Sequence, residues 1–205
     1  MPWAPNAYPV DATAADRLRE WLGSGRRGGL DAIGLDLSGA DLSGGDFSES
    51  WFSNATLHGA RCAGADFYRT DAEGADFSGA DLAGATFVRA NLDEAVLHCA
   101  KLDGTDLVKA SLYGVDASRA SFRGATMGGA SLIDVDLRGA DLTDATVEEN
   151  SFKARLDQNT VVRGMRGSVF GPVELVEGTR SRTLGGVELE EWFRERGGDV
   201  RVIRR

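Results

Sequence analysis

The side chains that could do chemistry in this chain are two histidines, two cysteines and many aspartates. His58 and His98 could ligate a metal or transfer protons, and Cys62 and Cys99 could form a disulfide or act as thiols. Aspartates recur along the middle of the sequence, where carboxylates could attract a basic partner. Which of these groups meet in space depends on the elements that hold them.

The composition favours a folded and acidic chain with many turns. The 205 residues include 27 glycines and carry a formal net charge of -9, and 42% of them are hydrophobic. Phosphate binding needs clustered Lys and Arg, so we expect no direct nucleic-acid contact and favour a basic protein partner. No run approaches the roughly 18 apolar residues of a membrane span, and residues 1–10 lack a signal-peptide pattern. We therefore predict a cytoplasmic protein that does not contact a membrane.

A period of five dominates residues 35–154, which divide into about 24 units without an insertion. The third residue of a unit is Leu or Phe in about 19 units, the first is Ala in about 16, and Gly is fifth in about half. In extended chain, residues two apart point to the same side. First and third side chains are therefore predicted to face inward and the second outward, while the fourth and fifth residues turn the chain.

The repeated A-[DN]-[LF]-x-x pattern resembles the pentapeptide-repeat family over about 60% of the chain. This resemblance implies an all-β solenoid, a right-handed quadrilateral β-helix in which four units form one coil. The repeats would then form about six coils and a rod near 30 Å long, at about 4.8 Å per coil.

The same period separates the reactive groups. His58 and His98 fall two coils apart, about 9.6 Å, which is too far for a shared metal ion. Cys62 is an inward third-position residue and Cys99 lies at a corner of another face, so no disulfide is expected. No nucleophile, base and orienting acid converge and no pocket is predicted, so we expect neither an enzyme nor a metal or cofactor site.

Segments at both ends are predicted to cover the unpaired backbone of the rod. Residues 1–29 form an N-terminal capping segment, with a helix that begins near Thr13 and ends at Gly23. Residues 30–164 form the β-helix. Residues 165–205 form a small α/β module with a strand, a helix and a strand at 173–176, 187–196 and 200–203. This module could cap the rod, form a homodimer interface or do both, and the sequence does not choose.

Stacking at intervals of twenty residues predicts outward columns of acids, the first candidate surface for binding a partner. Residues 35–154 carry a net charge of about -11. Solubility is an equally strong explanation, because the family's second position favours Asp and Asn everywhere. The acidic columns are Asp36, Asp76, Asp116 and Asp136 on one face, Asp41, Asp81 and Asp141 on the next, and Asp46, Asp66 and Asp106 on the third.

A second candidate surface is a stripe of stacked apolar and basic residues. Stacked like charges about 4.8 Å apart are unfavourable unless they are paired, with Asp66, with Asp106 or with acids of a partner. Salt bridges to neighbouring faces are the alternative explanation. Tyr113 and Ile133 on the following face would enlarge the apolar patch. The stripe consists of Tyr68, Val88 and Val108 at fourth positions and Arg69, Arg89 and Lys109 at fifth positions.

Two functions fit these surfaces. About 30 Å of B-DNA carries roughly 18 charges, so an acidic rod of that length could occupy the DNA groove of a basic enzyme. The resemblance implies a specific version, a DNA mimic that binds DNA gyrase or another type II topoisomerase and protects or inhibits it, as in antibiotic or toxin self-resistance. The alternative is a general protein-protein interaction scaffold that uses the stripe.

Overall fold

The computed structural model describes residues 3–25 and 28–203, in which stacked five-residue sides form a β-helix. Parallel bridges join residues twenty apart, from Asp31 with Trp51 to Asp141 with Val161. Four sides therefore make one coil, as predicted. We number the sides 1 to 4 in chain order, and in the first coil they are residues 30–34, 35–39, 40–44 and 45–49.

Each side ends in a tight turn. The Ala40 N–H donates to the Leu37 carbonyl oxygen at 3.1 Å, and Gly39 between them has a φ of 66°. This left-handed conformation suits glycine, yet Arg89 adopts it as well with a φ of 60°. Charged residues at fifth positions therefore project from the corners at some conformational cost.

The first and third side chains of the repeats fill the interior, as predicted. Leu82, Phe87, Leu92 and Leu97, one from each side, are all 0% exposed. Polar side chains at first positions donate hydrogen bonds to carbonyl oxygens inside the coil. The Thr105 hydroxyl, for example, donates to the Leu82 carbonyl oxygen at 3.0 Å. The interior of the repeats is therefore a continuous apolar core in which polar first-position side chains such as Thr70, Thr105 and Asn150 donate hydrogen bonds to backbone carbonyl oxygens.

Helix α1 (Ala12–Gly23) lies at the N-terminal end of the rod. Its N-cap is Asp11, whose carboxylate accepts the Ala14 N–H at 2.8 Å, so the helix begins one residue before the predicted start near Thr13. Ala14, Leu18 and Trp21 are buried in the solenoid core. Residues 1, 2, 26 and 27 of the predicted N-terminal segment lie outside the described residues, as do residues 204 and 205 at the other end.

The last coils contain regular strands and a second helix. The elements are β1 (Ser131–Asp136), β2 (Thr146–Asp157), β3 (Arg166–Phe170), β4 (Val173–Glu177), β5 (Arg180–Leu184), α2 (Gly186–Glu195) and β6 (Asp199–Val202). The sheet order is β5-β4-β2-β3-β6, with β1 also paired to β2, and all pairs are parallel except β4 with β5. Parallel stacking thus continues past the boundary predicted after residue 164.

Strands β4 and β6 and helix α2 begin and end within one residue of the predicted elements, whereas β5 had no clear signal in the sequence. The repeat register also differs from the prediction at one place. Ile133 pairs with Lys153, but Val135 pairs with Ala154, so the side that begins at Asn150 is one residue short. Ala154, expected at the fifth position of that side, is instead the inward first residue of the next side, where a small side chain fits. The prediction of an unbroken register through residue 154 is therefore wrong at its last residue.

Candidate functional site

The aspartates of the acidic columns close the turns of their own sides. The Ser38 N–H donates to Asp36 at 2.9 Å and the Tyr68 N–H donates to Asp66 at 2.8 Å. Such a bond fixes the carboxylate and leaves its second oxygen for other contacts. Sequence analysis missed this structural role of the second position. The other acids of the columns make the same bond: Asp41, Asp46, Asp76, Asp81, Asp106, Asp116, Asp136 and Asp141.

Hydrogen bonds within these turns also favour the ionised form of the acids. The Ser38 hydroxyl and N–H hold the pKa of Asp36 below its usual value, and the Ser43 hydroxyl acts first among several groups that lower the pKa of Asp41. The two carboxylates therefore carry full negative charge at neutral pH.

Bases neutralise part of the acidic columns. Arg61 lies 3.4 Å from Asp41 one coil away on side 3, and Arg123 lies 2.8 Å from Asp141. Seven of the ten acids of the columns take part in no ion pair within residues 3–25 and 28–203, and the three neutralised acids are Asp41, Asp136 and Asp141. These seven are Asp36, Asp46, Asp66, Asp76, Asp81, Asp106 and Asp116.

Asp136 departs from the expectation that second-position residues face water. It is only 4% exposed, because Arg138 and Arg155 cover it with nitrogen atoms 2.6 and 3.2 Å from Oδ2. Burial alone would raise the pKa of Asp136, but the Arg138 hydrogen bonds and the Arg155 charge outweigh it and hold the pKa low. The candidate binding surface therefore loses Asp136, which stabilises the last coils instead.

The residues of the stripe stack on side 4 and its corner with side 1. The N–H groups of Arg69 and Arg89 donate to the carbonyl oxygens of Val88 and Val108, each at 3.0 Å, which places the three coils directly above one another. The three apolar side chains are half-buried and the three bases are exposed. The stripe is thus continuous over three coils.

The predicted ion pairs of the stripe with Asp66 and Asp106 do not form within the chain. Arg69 lies 3.8 Å from Glu49 in the preceding coil and 5.4 Å from the centre of the Tyr68 ring. Among the residues that the structure describes, no ion pair includes Arg89 or Lys109. Salt bridges to neighbouring faces therefore do not explain the stripe.

Exposed apolar residues lie on side 1. Tyr113 is 47% exposed and Ile133 beside it in the next coil is half-buried, so both belong to a surface patch. Trp51, also 47% exposed, was missed by sequence analysis. The sequence did hold a signal for this exposed residue, because Trp51 is a large aromatic residue at a second position. The other units carry small, polar or charged residues or valine there.

The histidines and cysteines do not converge. His98 Nδ1 lies 2.8 Å from the Ser118 hydroxyl in the next coil. Cys62 lies in the core, and its burial raises the pKa of its thiol. Cys62 and the exposed Cys99 are both free, as predicted. The described part of the chain has no group of three or more His, Cys, Asp and Glu side chains placed to hold a metal ion. Nor is either helix of that part long and apolar enough to cross a membrane.

Cavities occur on the exterior, where none was predicted. One of about 600 Å³ is lined by outward residues that include His98, Ser118, Arg119 and Arg138. Corner side chains of neighbouring coils frame it, while the core stays packed. The Ser118 hydroxyl lies 2.8 Å from His98 Nδ1 in this lining, and it donates a hydrogen bond to the Asp116 carboxylate at 2.6 Å.

Comparison with known proteins agrees with this architecture. The model of the family described as pentapeptide repeats matches eight copies, at residues 36–71, 73–108 and 110–148, which is more than half of the chain. No curated protein was found that matches the chain.

Solved structures of pentapeptide-repeat proteins are similar to this one. HetL, involved in heterocyst differentiation regulation in the cyanobacterium Nostoc, is 26% identical with a TM-score of 0.66, over 75% of this chain and 71% of that chain. QnrB1, a plasmid-mediated fluoroquinolone resistance protein, is 20% identical with a TM-score of 0.40, over 68% of this chain and 79% of that one. With its coils of four five-residue sides and its family match over more than half of its length, the chain belongs to the pentapeptide-repeat family.

Proposed function

We propose that the chain is a non-catalytic solenoid that binds a basic protein surface through its acidic sides. The supporting observation is the set of seven acidic-column carboxylates that lie outside any ion pair of the described residues. Each is held by a hydrogen bond in its own turn, as in Asp76 with the Ser78 N–H at 2.8 Å. A side chain that is already ordered loses little freedom on binding, so these charges favour fast and specific association.

A more specific candidate is a DNA mimic that binds DNA gyrase or another type II topoisomerase. It is favoured by the net charge of about -11 over some 30 Å of rod, which approaches the charge density of duplex DNA. Arg123, Arg138 and Arg155 neutralise acids of the sixth coil, so the contact is expected on the first five coils. The chain would compete with DNA for a basic groove and thereby protect or inhibit the enzyme.

Gyrase supercoiling, with and without a quinolone, tests this candidate. Purified protein at micromolar concentration should change the supercoiling rate or the drug response. The variant Asp76→Asn with Asp116→Asn keeps both turn hydrogen bonds but removes two charges, and should weaken the effect about tenfold. Asp144→Asn, a change at an exposed corner, serves as the matched control.

If the wild-type protein alters neither reaction, the topoisomerase candidate is wrong. The broader proposal has its own test, which is salt-sensitive binding to basic proteins from the native cell. That binding should weaken in the Asp76 and Asp116 double variant and not in the control. Equal binding by both variants would contradict the proposal.

A further inference from the structure

One side of the rod carries complementary charges that do not meet. The mixed face is side 4 in three successive coils, residues 65–69, 85–89 and 105–109. Asp66 and Asp106 occupy its second-position column, and Arg89 and Lys109 belong to its fifth-position column. Within the described residues none of these four takes part in an ion pair.

The fold keeps the two columns apart. The carboxylates of Asp66 and Asp106 turn back to the N–H groups of Tyr68 and Val108, at 2.8 and 3.0 Å. Lys109 projects from the corner in a left-handed conformation with a φ of 60°. The apolar fourth-position column lies between acids and bases, and Glu49 of the same rod reaches only Arg69. The charges of Asp66, Asp106, Arg89 and Lys109 are therefore left for a group outside the rod.

We propose that a second copy of this chain docks on the mixed face, with the two rods side by side and parallel. A twofold axis parallel to the rods reverses the order of the columns and keeps each coil at its level. Asp66 then faces Arg69 of the second copy, and Asp106 faces Lys109 of the second copy. Each pair occurs twice, and the apolar columns meet near the axis.

Other arrangements of the two rods, and other partners, would leave charges of the mixed face unpaired. A twofold axis perpendicular to the rods would keep the column order, so acids would face acids and bases would face bases. A foreign acidic segment would neutralise the bases and repel Asp66 and Asp106. A second copy has both columns with the same axial repeat, so the first and third levels bring acids opposite bases together, while Arg89 at the middle level faces Thr86 of the second copy.

The complementary area is small. It spans three coils, or about 10 Å between the first and the third level, so we expect a weak dimer with a dissociation constant in the micromolar range. At the next level towards the N-terminus Asp46 would face Glu49 of the second copy, which limits the contact. The Asp76 and Asp116 column lies on side 2, so the dimer leaves it free and does not depend on the proposed function.

Sedimentation of two charge variants of the full chain tests the proposal. In the first, Asp66→Lys with Asp106→Lys makes the face basic. In the second, Arg69→Asp with Lys109→Asp makes it acidic. Each alone should dimerise at least about tenfold more weakly than the wild type, and an equimolar mixture should restore the dimer, because opposite charges then face each other.

The matched control for these variants is Arg119→Asp, an exposed fifth-position base with a φ of 59° on side 2, which should dimerise like the wild type. A wild type that is monomeric at about 100 µM would overturn the proposal. So would a dimer that persists in both variants, which would point to the C-terminal module, or a mixture that stays monomeric.

Disulfide crosslinking tests the arrangement without changing the charges. In a Cys99→Ser background, both Val88→Cys and Val108→Cys should crosslink to their own counterparts, because parallel rods align equal levels. An antiparallel pair would crosslink at one of them at most, and failure of either variant overturns the parallel arrangement. Ser78→Cys, a fourth-position residue on side 2, should stay uncrosslinked.

Discussion

The indole of Trp21 stacks on the ring of Phe47, with 5.7 Å between ring centroids and 22° between planes. Phe47 stacks on Phe67 at 5.5 Å, and Phe67 stacks on Phe87 at 4.7 Å. Helix α1 thus extends a column of inward rings by one more level, where the coils themselves stop. The end of the core is covered by an aromatic side chain that continues the stack of phenyl rings below it.

Trp21→Ala should therefore uncover the first coil. We expect a loss of about 3 kcal/mol in the free energy of unfolding, because a large buried side chain leaves a cavity. Urea unfolding measures the loss, and light scattering should show more aggregation as the edge becomes exposed. Val10→Ala, at a side chain that is 98% exposed, is the control and should be neutral. An unchanged midpoint for Trp21→Ala would show that α1 does not stabilise the rod.

Asp136→Asn should make the protein less stable by about 2 kcal/mol at pH 7, between the values for exposed and buried ion pairs. The pKa of Asp136 is lower in the folded chain than in the unfolded chain, so its contribution is complete above the unfolded pKa and disappears as the pH falls through the folded one. The difference between wild type and variant should therefore shrink below about pH 4.

Urea unfolding at several pH values between 7 and 3 checks this dependence. Asp144→Asn changes an exposed acid and is the control. A difference between wild type and Asp136→Asn that stays constant across this range would mean that the ionised carboxylate is not the source of the stabilisation.

Arg89→Gly should stabilise the fold by about 1 kcal/mol, since a left-handed conformation costs a side-chain-bearing residue about that much. Arg89 has a φ of 60° and makes no ion pair within the described residues, so little is lost with its side chain. Thermal unfolding measures the gain. Lys101→Gly, at an exposed second position of a bridge, should destabilise instead. If both changes destabilise, the corner conformation is not strained.

Glu49→Lys should strengthen the proposed dimer. It replaces the unfavourable approach of Glu49 to Asp46 of the second copy with an attractive one, and we expect the dissociation constant to fall about three- to tenfold. Sedimentation equilibrium measures the change. Glu94→Lys, at an exposed corner of side 1 with a φ of 59°, is the matched control. Weaker association of Glu49→Lys would contradict the predicted alignment.

The period of five in the sequence predicted the buried positions and the turns, and the resemblance to the pentapeptide-repeat family predicted coils of four units with residues twenty apart stacked on one another. Each side obeys the same local rule, in which a small and a large apolar residue alternate with polar ones before a turn, so one unit predicts the next. The columns of Asp76 with Asp116 and of Tyr68 with Val88 followed from this rule together with the four-unit coil that the family resemblance implied.

Ion pairing and the end of the repeat were decided only by the tertiary structure. Asp136 is buried because the register shifts by one residue and brings Arg155 opposite it, 19 positions along the chain instead of 20. Arg69 meets Glu49 and not Asp66, because a turn separates the second position of a side from the fifth. The periodic pattern determines which way a side chain points, whereas its charged neighbour depends on contacts between coils that the period does not encode.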